Sequence, residues 1–172
     1  METTEKIVEA YVRYVKGWAT IPNIKCPGQY EIDLLAIDPV NLHRYHIESG
    51  VSISGSYSRL TAKKYSDQDL KIRVKSAGQR RTLGYFAQRK FSAKPVQETL
   101  KNYGFKKGNY SKVIVSWGWT DEAAKSAKQK RIKLWDFREI LKEIAEAFHK
   151  EKVYFIDDTL RTLQLFTRAT ID

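Results

Sequence analysis

The sequence predicts an α/β fold: three layers (α/β/α) with a mixed central sheet between helices. Three observations predict it. Residues 3–17 place apolar side chains at helical spacing, two alternating runs follow at 31–38 and 44–54, and strand-like and helix-like segments alternate from residue 94 onward. A chain of 172 residues suits one domain and can bury a core without staples.

In chain order, Ile7, Val8, Tyr11, Val12, Tyr14 and Val15 form one broad helix face, which Gly17 ends. Ala19 to Lys25 reads as a short strand, and Pro22 restricts it to an edge. After the Pro27-Gly28 turn, Glu31 to Asp38 alternates. Ile32, Leu34 and Ala36 are expected on one side, with Glu31, Asp33, Leu35 and Ile37 on the other. Arg44 to Ser54 is the next strand, with Tyr45, Ile47, Val51 and Ile53 opposite His46, Glu48, Gly50 and Ser52. The short turn between the two runs makes them antiparallel neighbours.

Ser54 to Ser58 reads as a loop, Leu70 to Lys75 as a strand with one cationic face, and Leu83 to Phe91 as a helix. Pro95 fits the first turn of a helix that reaches Tyr103, and Gly104 fits its end. Lys112 to Trp117 reads as a buried-type strand, and Ile132 to Trp135 as another short strand. Thr120 and Asp136 cap the helices that follow them. A last strand is expected at Lys152 to Ile156. A helix capped by Asp157 then turns Leu160, Leu163 and Phe166 inward.

Charge is unevenly distributed. The chain carries 31 Lys+Arg against 20 Asp+Glu, a net charge of +11. Residues 1–54 are net −2, whereas residues 55–94 hold 11 basic and 2 acidic side chains, a net of +9. So local an excess repels itself unless a polyanion is near, which points to phosphate backbones. Residues 55–93 read as a basic insertion within a single 1–172 domain. Arg73, Lys75, Arg80, Arg81, Arg89 and Lys90 are the expected nucleic-acid contacts. The lone Cys26 excludes a disulfide framework and a Cys-rich zinc site. No run is long and apolar enough for a membrane span, and the N-terminus lacks the pattern of a secretory signal, so a reducing, cytoplasmic setting is expected.

The chemistry is expected where acids interrupt apolar strands. Glu31 and Asp33 project from one face of one strand, and Glu48 projects from its neighbour. Three carboxylates so placed repel one another, and burying them unpaired costs several kcal/mol. A divalent cation removes that cost, and oxygen-only ligands favour Mg²⁺ or Mn²⁺. Such an ion polarises a phosphodiester and activates water. On the same spacing, a strand with one face in water would leave these acids as ordinary exposed residues.

Gln29 to Ile37 (QYEIDLLAI) followed by Tyr45-His46-Ile47-Glu48 resembles the nuclease superfamily with the PD-(D/E)xK motif, closest to its Mrr-type and Holliday-junction-resolvase branches. The resemblance covers residues 3–54 and 94–136 and implies a restriction-endonuclease-like fold. It implies that Asp33 and Glu48 bind metal and that Glu5, on the flank of the first helix's apolar face, is the third carboxylate, with Glu31 assisting. The departure lies at the motif lysine, since Glu48-Ser49-Gly50 stands where the family has Glu-x-Lys. Either a lysine from another element reaches the same point, with Lys90 and Lys94 as candidates, or the chain binds DNA without cutting it. The resemblance thus implies a Mg²⁺- or Mn²⁺-dependent DNA endonuclease, with a non-catalytic DNA-binding module as the alternative and RNA as a third substrate. Analogy with related nucleases suggests a homodimer.

Overall fold

The computed structural model describes residues 2–53, 59–65, 81–150, 152 and 154–171. Helix α1 (Thr3–Ala10) runs into a π-helical turn (Tyr11–Val15), and Gly17 ends it in the left-handed region at φ 70°. Three antiparallel strands follow: β1 (Ala19–Cys26), β2 (Tyr30–Ile37) and β3 (Arg44–Ser49). Helix α2 (Leu83–Tyr85) continues as a π-helical stretch over Phe86–Phe91. Then come α3 (Lys94–Asn102), β4 (Tyr110–Ser116), α4 (Asp121–Gln129), β5 (Ile132–Asp136), α5 (Phe137–Lys150) and α6 (Asp158–Thr170).

The five strands lie in the order β1-β2-β3-β4-β5, with β4 and β5 parallel to β3. The sheet is therefore mixed, and the fold is α/β. Alternate β4 residues separate its two faces. Val113 and Val115 pack with Leu34, Ile47 and the residues of α1 and α5, whereas Ile114 packs with Leu83, Phe86, Phe91 and the alanines of α4. Helices cover both sides, so Ile32 to Ala36 of β2 are all buried. Thr120 and Asp157 cap α4 and α6 through side-chain oxygens that accept backbone N–H bonds. Among the described residues, no helix is long and apolar enough to cross a membrane.

Several expectations need correction. β3 ends at Ser49 rather than Ser54. Gly50 N still donates to Val115 O at 2.9 Å, but Ile53 is exposed. Ile32 packs with Leu35 rather than with Leu34 and Ala36. Alternation breaks beside Asn23, whose left-handed backbone (φ 54°) lies between the pairs Pro22↔Leu34 and Ile24↔Ile32. Residues 154–156 join no strand. Phe155 instead stacks on Phe148 at 4.5 Å, a single aromatic plug that needs no ladder. Phe166 points outward, 64% exposed, because α6 buries Gln164 and Thr167 against its neighbours. The expected loop 54–58 and the expected strand 70–75 lie outside the described residues. Both described flanks of the 55–93 segment are built into the core through Leu60, Leu83, Phe86 and Phe91.

Candidate active site

The site forms where the β2–β3 ladder ends. Leu34 pairs with Ile47, and continuing that register by one step sets Asp33 beside Glu48. The ladder does not close there. Ser49 N donates instead to Asp33 Oδ2 at 2.8 Å, which fixes one carboxylate oxygen. Asp33 is 7% exposed and Glu48 is fully buried.

Lys90 enters from the π-helical stretch. The wider turn leaves Phe86, Lys90 and Phe91 on its sheet-facing side. Lys90 Nζ lies 2.7 Å from Asp33 Oδ1 and 2.7 Å from Glu48 Oε2. It also donates, at a long 3.5 Å, to the Glu31 backbone oxygen. The remaining Glu48 oxygen, Oε1, lies 2.6 Å from His46 Nε2, and both side chains are fully buried. Each oxygen of both carboxylates thus has an assigned neighbour.

Position 50 has no room for a side chain. A Cβ on Gly50 would lie 2.5 Å from Phe86 Cζ and 3.1 Å from Cε2. Phe86 is 1% exposed and fixed among Leu83, Phe91 and Ile114, so its ring fills the space a side chain at position 50 needs.

The electrostatics follow from burial. Desolvation, then the Glu48 charge, pushes Asp33 up to about 7, and desolvation raises Glu48 to about 6. Burial would lower the Lys90 ammonium, but Glu48 and Asp33 overcome this and hold it above its usual value, so it stays protonated. Burial depresses His46 to about 3, which keeps it neutral. With Glu48 ionised, the neutral imidazole donates from Nε2, and Nδ1 is left as a buried acceptor without a partner among the described residues.

Glu5, Glu31 and Asp33 each bring a carboxylate oxygen within 4.8 Å of the others. Burial, then the Asp33 charge, raises Glu5. The Lys25 ammonium, 2.6 Å from Glu31, holds that carboxyl below its usual range. Four acids therefore meet one buried ammonium and one at the rim. An oxygen-only donor set with surplus negative charge fits a hard dication. Glu48 stands outside this trio, since its oxygens face His46 and Lys90.

The other expected residues lie as follows. Lys94 stands away from the centre; its side chain is 87% exposed and pairs with Glu98 at 3.9 Å, because it sits at the solvent-facing start of α3. Arg89 lies 3.7 Å over the Tyr30 ring, and Arg81 is part-buried, with Nη2 3.4 Å from Val51 O. Arg73, Lys75 and Arg80 fall outside the described residues. The two-residue spacing of His46 and Glu48 places both on one face in the sequence, but nothing there marks their pairing. No sequence pattern marks Phe86 as the occupant of the space at Gly50. No family model, curated protein or solved structure matches the chain.

Proposed function

We propose that the chain is a divalent-metal-dependent DNA endonuclease with a restriction-endonuclease-like fold. One observation carries the reading: Lys90 Nζ stands 2.7 Å from both Asp33 and Glu48. This puts a cation beside the two acids although position 50 holds none, which weakens the motive for the binding-only alternative.

The residues divide the work. Glu5, Glu31 and Asp33 would hold Mg²⁺ or Mn²⁺, with Glu48 alongside. When bound, the ion supplies Lewis-acid polarisation and a more acidic water. Ser49 N and His46 orient Asp33 and Glu48. Lys90 is a donor rather than a base, because its proton is held tightly. One N–H bond goes to Asp33 Oδ1, and the ammonium also stands in ion-pair contact with Glu48 Oε2. The donor spent on a 3.5 Å contact to Glu31 O is free to turn to a water or a phosphoryl oxygen and stabilise developing charge.

Purified protein should nick or cut plasmid or branched DNA with Mg²⁺ or Mn²⁺ and remain inactive in EDTA, and Asp33→Asn should abolish cutting. Cutting that survives Asp33→Asn would remove the site. DNA binding without cutting in either metal would favour the non-catalytic module, and cutting confined to RNA would change the substrate.

A further inference from the structure

A second cationic site lies on the same face of the sheet as Glu48. A cleft of about 480 Å³ opens where the start of β4 meets the end of α4, and Lys107, Lys112, Lys130 and Arg131 line it with Tyr110 and Gln97. No carboxylate lines it. Among the described residues none of these four cations has an acidic partner, whereas Lys6, Arg13, Lys16, Lys25, Lys90, Lys94, Arg138 and Lys142 each do. Four like charges gathered in a concave site repel one another, and an anion relieves that repulsion.

The cleft is built rather than incidental. Lys112 is half-buried, and burial together with the Lys107 charge pushes its ammonium down. The Gln97 amide donates to the Tyr110 hydroxyl at 3.2 Å and to the Phe91 carbonyl, so both polar walls are anchored. Lys112 is in register with His46, so it projects from the face that carries Glu48. One ring joins the two sites: Phe91 lies 4.8 Å from the His46 ring, has Lys112 Nζ 5.8 Å from its centroid, and follows Lys90 in the chain. Two residues along a strand and one strand across is about 8 Å between Cα atoms, within reach of neighbouring phosphates of one nucleic-acid strand.

We propose that this cleft is a phosphate subsite that holds the nucleic-acid backbone beside the phosphodiester at the Asp33–Glu48–Lys90 centre. Its placement relative to a scissile bond rests on the nuclease reading, but its phosphate binding does not. Lys107, Lys130 and Arg131 are exposed and can follow the backbone, and Lys112 supplies the fixed charge at the base.

Binding of labelled single-stranded and duplex DNA and of inorganic phosphate is measured in EDTA across a salt series, where nothing is cut, and cleavage is followed separately in Mn²⁺. Lys107→Gln/Lys130→Gln alters only exposed side chains, and Lys112→Met keeps bulk at the base. A control, Lys133→Gln/Lys142→Gln, removes the same charge from the other face. The cleft double variant should flatten the slope of log K against log salt by about 1.8 on duplex DNA and weaken binding by about tenfold at moderate salt, while the control moves neither. A cleft variant that behaves like the control overturns the proposal. So does a cleft variant that loses inorganic-phosphate binding yet holds DNA as the wild type does, since the cleft would then take only a free anion. Wild-type protein that binds through the cleft but never cuts sinks the nuclease reading alone. Cutting by a cleft variant whose DNA binding is unchanged sinks the cleft alone.

Discussion

The ring of Phe86 occupies the space a side chain at Gly50 would need, with Cζ 2.5 Å from the position of a Cβ there. Lys90, four residues after Phe86 on the same helical stretch, reaches the carboxylates instead. Ring and ammonium come from one element, so the filled space at Gly50 and the cation beside the carboxylates are one structural event.

Gly50→Ala should therefore destabilise the fold by about 1–3 kcal/mol, as overpacking does. Phe86→Leu should cost stability alone yet relieve Gly50→Ala, giving clear non-additivity in a double-mutant cycle by chemical denaturation. Additive costs would mean that the two positions do not compete for space.

Lys90→Met leaves two buried carboxylates without their cation. At pH 8 in EDTA the expected loss is about 3 kcal/mol, the scale for breaking a buried pair. At pH 5 it should be smaller, because burial already holds Asp33 near 7 and Glu48 near 6, and both can protonate. Urea unfolding at the two pH values checks this.

The metal-free pH profile has two opposing terms. Asp33 rises from 3.8 to about 7 on folding and Glu48 from 4.5 to about 6, so their stabilisation is full below pH 4 and is lost as pH climbs to 7. His46 falls from 6.5 to about 3, so its stabilisation is full above pH 6.5 and is lost as pH drops toward 3. His46→Gln removes the second term, and its stability should decline more steeply than the wild type's between pH 4 and 6.5. The His46 ring signals should stay at their neutral positions down to pH 5 by NMR.

Mn²⁺ should raise the melting temperature of the wild type, because a ligand that binds only the folded state stabilises it. Glu5→Gln and Glu31→Gln should each weaken that shift, with apparent affinity lower by on the order of tenfold for each lost carboxylate. Equal shifts in both variants and the wild type would place the ion elsewhere.

Much of the frame was legible because it rests on short-range rules. Antiparallel pairing across a short turn set Asp33 beside Glu48 although alternation along the first strand breaks, and Thr120 and Asp157 announce their helices by capping. Features that depend on long-range packing were not legible. Lys90 and Lys94 stand as equals in sequence; the π-helical phase turns Lys90 inward, and Lys94 lies in water at the start of α3. Phe166 fits an inward stripe, yet α6 packs through Gln164 and Thr167. The cleft cations span residues 107 to 131, and folding alone gathers them.

Single-turnover cleavage of DNA in Mn²⁺ at pH 8, at saturating protein, compares the wild type with Lys90→Met and Lys94→Met and isolates what the Lys90 ammonium does. Lys90→Met should cut slower by about a hundredfold or more, the scale for losing one charge-stabilising donor, while Lys94→Met matches the wild type. Lys90→Met cutting at the wild-type rate would mean that the Lys90 ammonium takes no part in the chemistry.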